Sequence, residues 1–169
     1  FPTVPKPIIA AINGPIAGLG LIMSLYCDLR FASDTAVFTT AFSRRGLIAE
    51  HGISWILPKL IGHANALDLI LSARKITSRE ALDMGLINRI FEPTKFLEDV
   101  KVYAEEVATM VSPRSIRIMK RQVYCALMQP LEQAVLVANS EMPASFDSDD
   151  FKEGVAHFLE QRIPNFSGR

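Results

Sequence analysis

The chain has 169 residues, 49% of them hydrophobic, and its 18 basic side chains balance its 18 acidic ones. This length and apolar content predict one globular domain with a sizeable core, and a net charge of zero argues against a nucleic acid or a membrane surface as a partner. The two cysteines, Cys27 and Cys125, follow no metal or disulfide spacing, which favours a reducing, cytoplasmic compartment.

The first predicted elements are a strand, a glycine-rich loop and a helix. Ile8–Ile12 is a short apolar run with β-branched residues, which is typical of a buried strand. Glycines at positions 14, 18 and 20 then predict a loop, and Leu21–Cys27 has the composition of a buried helix start. Such an arrangement presents free backbone N–H groups to an oxyanion or a phosphate. Asn-Gly-Pro at positions 13–15 interrupts this uncharged stretch, which therefore does not predict a membrane span.

Turn residues and prolines divide the rest of the chain into short strands and helices. The predicted elements are strands at Leu29–Ser33, Ala36–Thr40 and Leu86–Phe91, a loop at Phe42–Ile48, and helices at Ile53–Leu60, Asn65–Leu71, Arg79–Met84, Lys95–Val111, Arg114–Met128, Leu131–Phe146 and Asp150–Gln161. Thr77 with Glu80 fits a capping box. Proline disrupts a helix interior, so Pro58 and Pro143 leave undecided where the predicted helices Ile53–Leu60 and Leu131–Phe146 end.

The order of the motifs resembles one known family. KPIIAAINGPIAGLG, CDLRFAS, FSRRGLIAEHG, LPKLIG and ITSREALDMGLINRIF follow one another, and SDDFKEGVAHFLEQRIPNF comes near the end. Together they resemble the enoyl-CoA hydratase/isomerase family, in the crotonase superfamily, over nearly the whole chain. The resemblance implies that this chain is roughly the C-terminal two-thirds of a protomer, with one oxyanion donor in the part that comes before it.

The resemblance also implies a fold and an organisation. The fold class is α/β, with a crotonase (ClpP-like) spiral core of repeated strand–strand–helix units followed by a helical region. Residues 1–93 are then the C-terminal part of the spiral core, and residues 94–169 form a C-terminal helical region for oligomerisation and pocket cover. Relatives assemble into trimers that often pair, so we expect a homotrimer or a homohexamer.

Enzymes of this family hold an acyl-CoA thioester oxygen with two backbone N–H groups, which stabilises an enolate. The matching donor here is the backbone N–H of Leu19, between Gly18 and Gly20. Both glycines are expected to be needed, because a Cβ would obstruct the thioester or because the backbone angle excludes other residues. No cofactor is expected, since coenzyme A is part of the substrate.

The acidic residues depart from the hydratase pattern. The two positions at which similar hydratases carry glutamate are Ile22 and Phe42, and neither side chain can transfer a proton. Glu50 matches the single acidic base of some enoyl-CoA isomerases of the family, so isomerisation through a dienolate is the predicted reaction. Three alternatives stay open: an enoyl-CoA hydratase of fatty-acid β-oxidation, a non-catalytic acyl-CoA-binding homologue, and a Glu50 that merely complements the dipole of the following helix.

The remaining candidates concern substrate binding. Phe42 and Trp55 are expected in the pocket wall or the core, and Phe158 and Gln161 match positions that reach coenzyme A in relatives. Arg44 and Arg45 are either phosphate ligands or an ordinary exposed pair. Gln161 replaces a lysine that is frequent in relatives, which weakens the phosphate contact there, and Arg162 is the candidate to substitute for it. The three histidines, His51, His63 and His157, lack the spacing of a metal site.

Overall fold

The computed structural model describes all 169 residues. Its main elements are six strands and eight α-helices. The chain divides into two compact units, of which unit 1 comprises Phe1 and Ile8–Val100, and unit 2 comprises Pro2–Pro7 and Lys101–Arg169. The roles predicted for residues 1–93 and 94–169 stay predictions. None of the helices combines the length and the apolar composition that crossing a membrane would need.

Unit 1 contains two three-stranded sheets. Strands β1 (Ile9–Ile12), β3 (Leu29–Ser33) and β6 (Arg89–Phe91) form a parallel sheet in that order. Strands β2 (Ile16–Ala17), β4 (Val37–Thr39) and β5 (Ile76–Thr77) form the second sheet, in which β2 is parallel and β5 antiparallel to β4. The residues of β1 are all apolar, which is typical of a strand in a parallel sheet.

Four helices of unit 1 cover these sheets, and a fifth begins there. They are α1 (Gly18–Leu25), α2 (Ile53–Ile61), α3 (His63–Ser72), α4 (Ser78–Asp83) and the start of α5 (Phe96–Met110). The core is one cluster of buried apolar side chains, including Leu21, Ile22 and Leu25 of α1, Phe38 of β4, and Ile53 and Leu57 of α2. Each such side chain contributes about 1.5–3 kcal/mol of hydrophobic free energy, so α1 and α2 are held by packing more than by their own helix propensity.

Arg30 is a buried charge in this core that the sequence pattern does not predict. It lies on β3 and is only 5% exposed. Its Nε donates to the Leu86 carbonyl at 2.8 Å, and its Nη1 donates to the Cys27 carbonyl at 2.7 Å and the Leu25 carbonyl at 3.5 Å. A cation is favourable at a helix C-terminus, so Arg30 fixes the end of α1 against the segment that precedes β6.

Unit 2 is helical. Its complete helices are α6 (Pro113–Ala126), α7 (Leu131–Phe146) and α8 (Asp149–Glu160). Ser112 caps α6 by accepting a hydrogen bond from the Ser115 N–H at 3.0 Å, and Ser148 caps α8 by accepting one from the Phe151 N–H at 3.1 Å. Caps of this kind typically contribute about 1 kcal/mol each.

Asp150 fastens the last residues of the chain to α8. Burial would raise the pKa of its carboxyl, but hydrogen bonds from the Ser112 hydroxyl and from the N–H groups of Gly168 and Ser167 outweigh it, so this pKa lies below its ordinary value. Nearby, the Arg162 guanidinium and the Asn165 N–H lower the pKa of Glu153 to about 2. Both groups therefore stay ionised at neutral pH and hold the C-terminal segment in place.

The observed elements differ from the predicted ones mainly around the glycine loop. Helix α1 begins at Gly18, three residues before the predicted start at Leu21, and the short strands β2 and β5 were not predicted. Glycine is a poor helix former, but the buried side chains that follow hold the first turn. Pro58 and Pro143 lie inside α2 and α7. The Thr77 cap is confirmed, since its hydroxyl accepts from the Glu80 N–H at 3.3 Å.

Candidate active site

The N-terminus of α1 presents the Leu19 N–H group. The residue before the helix, Ala17, is extended with φ −147° and ψ 156°, and no side chain caps the helix. The first N–H groups of a helix have no acceptor within it and lie at the positive end of its dipole. Leu19 is in that first turn, and its side chain is 55% exposed. Its N–H is therefore available to an acceptor from outside the helix.

The two glycines that flank Leu19 differ in what they require. Gly18 has φ +51°, in the left-handed region, although a Cβ there would meet nothing closer than the Thr40 carbonyl at 4.0 Å. Gly20 has no such angle, and its Cβ would make an ordinary 3.5 Å contact with Ile16. The backbone angle thus demands glycine at position 18. At position 20 the backbone angle does not demand glycine, and the expectation that a Cβ there would obstruct the thioester stays a prediction.

Glu50 lies in a tight turn that leads into α2. The Glu50 carbonyl accepts a hydrogen bond from the Ile53 N–H at 3.1 Å, and the two residues between them, His51 and Gly52, have φ +50° and +76°. Positive φ at both central positions is the geometry of a type I′ turn. Gly52 is the residue at the N-cap of α2, and the first turn of that helix contains no acidic residue.

The Glu50 carboxylate is partly exposed and makes no hydrogen bond within the chain. Its side chain is 37% exposed, and the nearest basic group is the His51 Nε2, 3.9 Å from a carboxylate oxygen. Glu50 therefore does not cap α2 through its side chain. The alternative that this carboxylate merely complements the dipole of α2 stays open.

Tyr26 connects the Glu50 turn to α1, and sequence reasoning missed it. Tyr26 is the C-cap of α1, and its hydroxyl donates a hydrogen bond to the His51 carbonyl at 2.9 Å. A Cβ on Gly52 would lie 2.5 Å from this hydroxyl oxygen. In the sequence, Tyr26 is simply a tyrosine at the end of an apolar helix, and nothing in that pattern indicates a hydrogen bond to a residue 25 positions away.

The two hydratase positions are filled by core side chains. Ile22 is 1% exposed and Phe42 is 6% exposed, and both belong to the same cluster of buried apolar residues. Phe42 therefore lies in the core, and its predicted contact with substrate stays a prediction. Neither side chain can donate or accept a proton, and a carboxylate at either buried position would be costly because it would lose its hydration.

The other predicted site residues of unit 1 have partners of their own. Trp55 on α2 is 41% exposed, with the Lys59 ammonium 4.8 Å above its ring. The guanidinium groups of Arg44 and Arg45 donate to the Ser72 and Ala41 carbonyls, each at 3.0 Å.

Unit 2 contains the candidates near the C-terminus. Phe158 lies on α8 and is 75% exposed, and Gln161 follows that helix with φ +53°. The Arg162 guanidinium is engaged with Glu153 and Glu160, at 2.5 Å for each pair. Across the chain, no group of three or more histidine, cysteine or acidic side chains is placed to hold a metal ion.

Comparison with known proteins identifies the sequence family. The family model described as "Enoyl-CoA hydratase/isomerase" matches residues 1–169. A probable enoyl-CoA hydratase of Rhodobacter capsulatus is 35% identical over 98% of this chain and 64% of its own length. The 1,2-epoxyphenylacetyl-CoA isomerase of Escherichia coli is 30% identical over 98% of this chain and 63% of its own length. The chain thus spans less than two thirds of the length of these relatives, one of which is named a hydratase and the other an isomerase.

Solved structures give the fold. A probable enoyl-CoA hydratase/isomerase from Mycobacterium abscessus superposes with a TM-score of 0.95 at 28% identity, over 99% of this chain and 66% of that one. An enoyl-CoA hydratase from Bacillus anthracis also gives 0.95, at 29% identity, over 99% of this chain and 65% of that one. The predicted α/β crotonase fold is therefore confirmed. The chain belongs to the enoyl-CoA hydratase/isomerase family.

Proposed function

We propose that the protein moves the double bond of an enoyl-CoA thioester, with Glu50 as the single acid/base and the Leu19 N–H as an oxyanion donor. One observation carries this proposal. The two positions at which similar hydratases have glutamate hold buried Ile22 and Phe42, whereas Glu50 has a partly exposed carboxylate without a hydrogen bond in the chain.

The reaction needs one base and one stabilised oxygen. Glu50 takes a proton from the carbon beside the thioester of a 3-enoyl-CoA, and the electron pair spreads into a dienolate. The Leu19 N–H donates to the thioester oxygen, where negative charge develops. Glu50 then returns the proton to the far carbon of the dienolate, which gives the conjugated 2-enoyl-CoA and restores the carboxylate. Proton number is conserved, so the step requires no cofactor.

The other two candidate functions make different demands. Hydration of a 2-enoyl-CoA needs one group to orient water and another to deliver a proton. Of positions 22, 42 and 50, only Glu50 carries a group that can transfer a proton. A non-catalytic acyl-CoA-binding homologue would need the loop at Leu19 but not an ionisable Glu50. Trp55 and Phe158 stay candidates for substrate contact, since both are exposed.

A pair of substrates separates the three functions. We expect the purified complete polypeptide to convert a 3-enoyl-CoA to the conjugated 2-enoyl-CoA, seen as a rise in the absorbance of the conjugated thioester. Loss of that absorbance when a 2-enoyl-CoA is the substrate would indicate hydration instead. Binding of both thioesters without turnover of either would identify a non-catalytic homologue and contradict the proposal.

We also propose a trimer-based assembly, because helices of unit 2 expose more apolar surface than a monomer usually leaves uncovered. Exposed residues on α6, in the turn after it and on α7 include Met119, Val123, Met128, Leu131 and Leu136. Sedimentation of the complete polypeptide should give a trimer or hexamer at micromolar concentration, and a monomer there would contradict this. A cytoplasmic location without nucleic-acid or membrane partners stays a prediction.

A further inference from the structure

The Glu50 turn has an unusual backbone that something outside it must hold. His51 has φ +50°, a left-handed angle that a side chain with a Cβ rarely adopts. Conformations of this kind persist only where the surroundings determine them. Within the turn, the one backbone bond joins the Glu50 carbonyl and the Ile53 N–H. The only side-chain hydrogen bond to it comes from Tyr26, 2.9 Å from the His51 carbonyl.

The Tyr26 side chain packs closely against Gly52 of the turn and against the buried apolar cluster. The hydroxyl oxygen of Tyr26 lies 2.5 Å from the position that a Cβ of Gly52 would occupy. A residue with a Cβ at position 52 would therefore displace the Tyr26 hydroxyl, in addition to the strain that a φ of +76° imposes on it. The tyrosine side chain is also packed against the buried apolar cluster, which limits its own movement.

Helix α1 joins this contact to the predicted oxyanion donor. Leu19 lies in its first turn and Tyr26 caps its other end, eight helical residues that span about 12 Å. Leu21, Ile22 and Leu25 bury one face of the helix in the core, so it moves as a rigid element. A base and an oxyanion donor must keep their relative position to within about 0.5 Å for efficient catalysis.

We propose that Tyr26 is a positioning residue, which holds the Glu50 turn at a fixed place relative to the Leu19 N–H by its hydrogen bond to the His51 carbonyl. The inference rests on the proposed function, in which Glu50 transfers the proton. Tyr26 itself does not touch the reacting atoms. It acts through the turn, so its loss affects the rate of proton transfer and not the binding of the thioester.

Tyr26→Phe tests this, because it deletes the hydroxyl and keeps the packed ring. We expect kcat for isomerisation of a 3-enoyl-CoA to fall roughly 10–100-fold, since a displacement of about 1 Å costs that order of rate. KM and the unfolding midpoint should stay unchanged. The kinetic isotope effect with substrate deuterated at the carbon beside the thioester should rise, because proton abstraction becomes the slow step. Tyr103→Phe on α5 makes the same chemical change elsewhere and should leave all four quantities unchanged.

A double variant separates this inference from the proposed function. If Tyr26 acts through Glu50, Tyr26→Phe should cause no further loss of kcat in a Glu50→Gln background. An inactive Glu50→Gln protein together with a fully active Tyr26→Phe protein would overturn the inference and leave the proposed function standing. An active Glu50→Gln protein would overturn the proposed function, and the inference with it. A fall in kcat that merely follows a lowered unfolding midpoint would assign Tyr26 a structural role and overturn the inference.

Discussion

Glu50→Gln is expected to lower isomerase turnover by about 10²–10⁴-fold, the usual contribution of a general base. Glutamine keeps the size of the side chain but cannot accept a proton. Affinity for the CoA thioester should change little, because Glu50 acts on the carbon skeleton and the oxyanion donor is a backbone group. Steady-state kinetics with a 3-enoyl-CoA and equilibrium binding of a non-reactive thioester measure the two effects separately.

The same variant should fold normally. The Glu50 carboxylate is partly exposed and its nearest basic group is 3.9 Å away, and exposed pairs of this kind contribute about 0–1 kcal/mol. Glu92→Gln is a matched control: Glu92 is exposed, accepts a hydrogen bond from Thr94, and lies outside the proposed site. A Glu50→Gln protein with full turnover and a small loss of unfolding free energy would show that Glu50 is structural.

Gly18→Ala is expected to lower turnover by about 10²–10³-fold, the usual cost of losing one oxyanion donor. Gly18 has φ +51°, and a Cβ in the left-handed region costs about 1–2 kcal/mol. Relief of that strain requires the backbone to rotate, and the next N–H group along the chain belongs to Leu19. The rotation therefore moves the donor away from the thioester oxygen.

Gly20→Ala provides the control for this prediction. A Cβ at position 20 makes an ordinary contact with Ile16 at 3.5 Å and meets no unfavourable angle, so turnover should stay within a few-fold of the unmodified protein. Urea unfolding of both variants shows whether lost activity merely reflects lost stability. Normal turnover by a folded Gly18→Ala protein would contradict the role of the Leu19 N–H. Equal loss in both variants would point to obstruction by the added methyl group instead of backbone rotation.

The parts of the fold that sequence predicted well are those set by local patterns. Strand β1, the Thr77 cap and the start of α7 follow from an apolar run, a capping pair and the proline that precedes the helix. The predicted start of α1, at Leu21, lies three residues after the observed one because glycine locally predicts a loop. In the folded chain, packing of Leu21 and Leu25 extends the helix back to Gly18. Such tertiary effects are invisible in a short window of sequence.

The site shows the same division between local and distant information. The resemblance predicts Leu19 and Glu50 as site residues, because its motifs align these positions with those of relatives, and their roles stay proposals. It did not indicate Tyr26 or Arg30, whose partners lie 25 and 56 residues away along the chain. A tyrosine that holds a strained turn and a buried guanidinium that binds three carbonyls are recognisable only when the contacts are known. These contacts are observed only in the folded chain.

The burial of Ile22 and Phe42 also bears on how this sequence can evolve. A glutamate at Ile22 would place a carboxylate in a site that is 1% exposed, within an apolar cluster, and an unpaired buried charge costs several kcal/mol or is neutralised. That is a large share of the roughly 5–15 kcal/mol by which domains are stable. The path toward two-glutamate chemistry therefore passes through poorly folded intermediates unless compensating changes in the core come first. A core in which both positions are buried and apolar is thus entrenched, because no single mutation gives two-glutamate chemistry without a loss of stability.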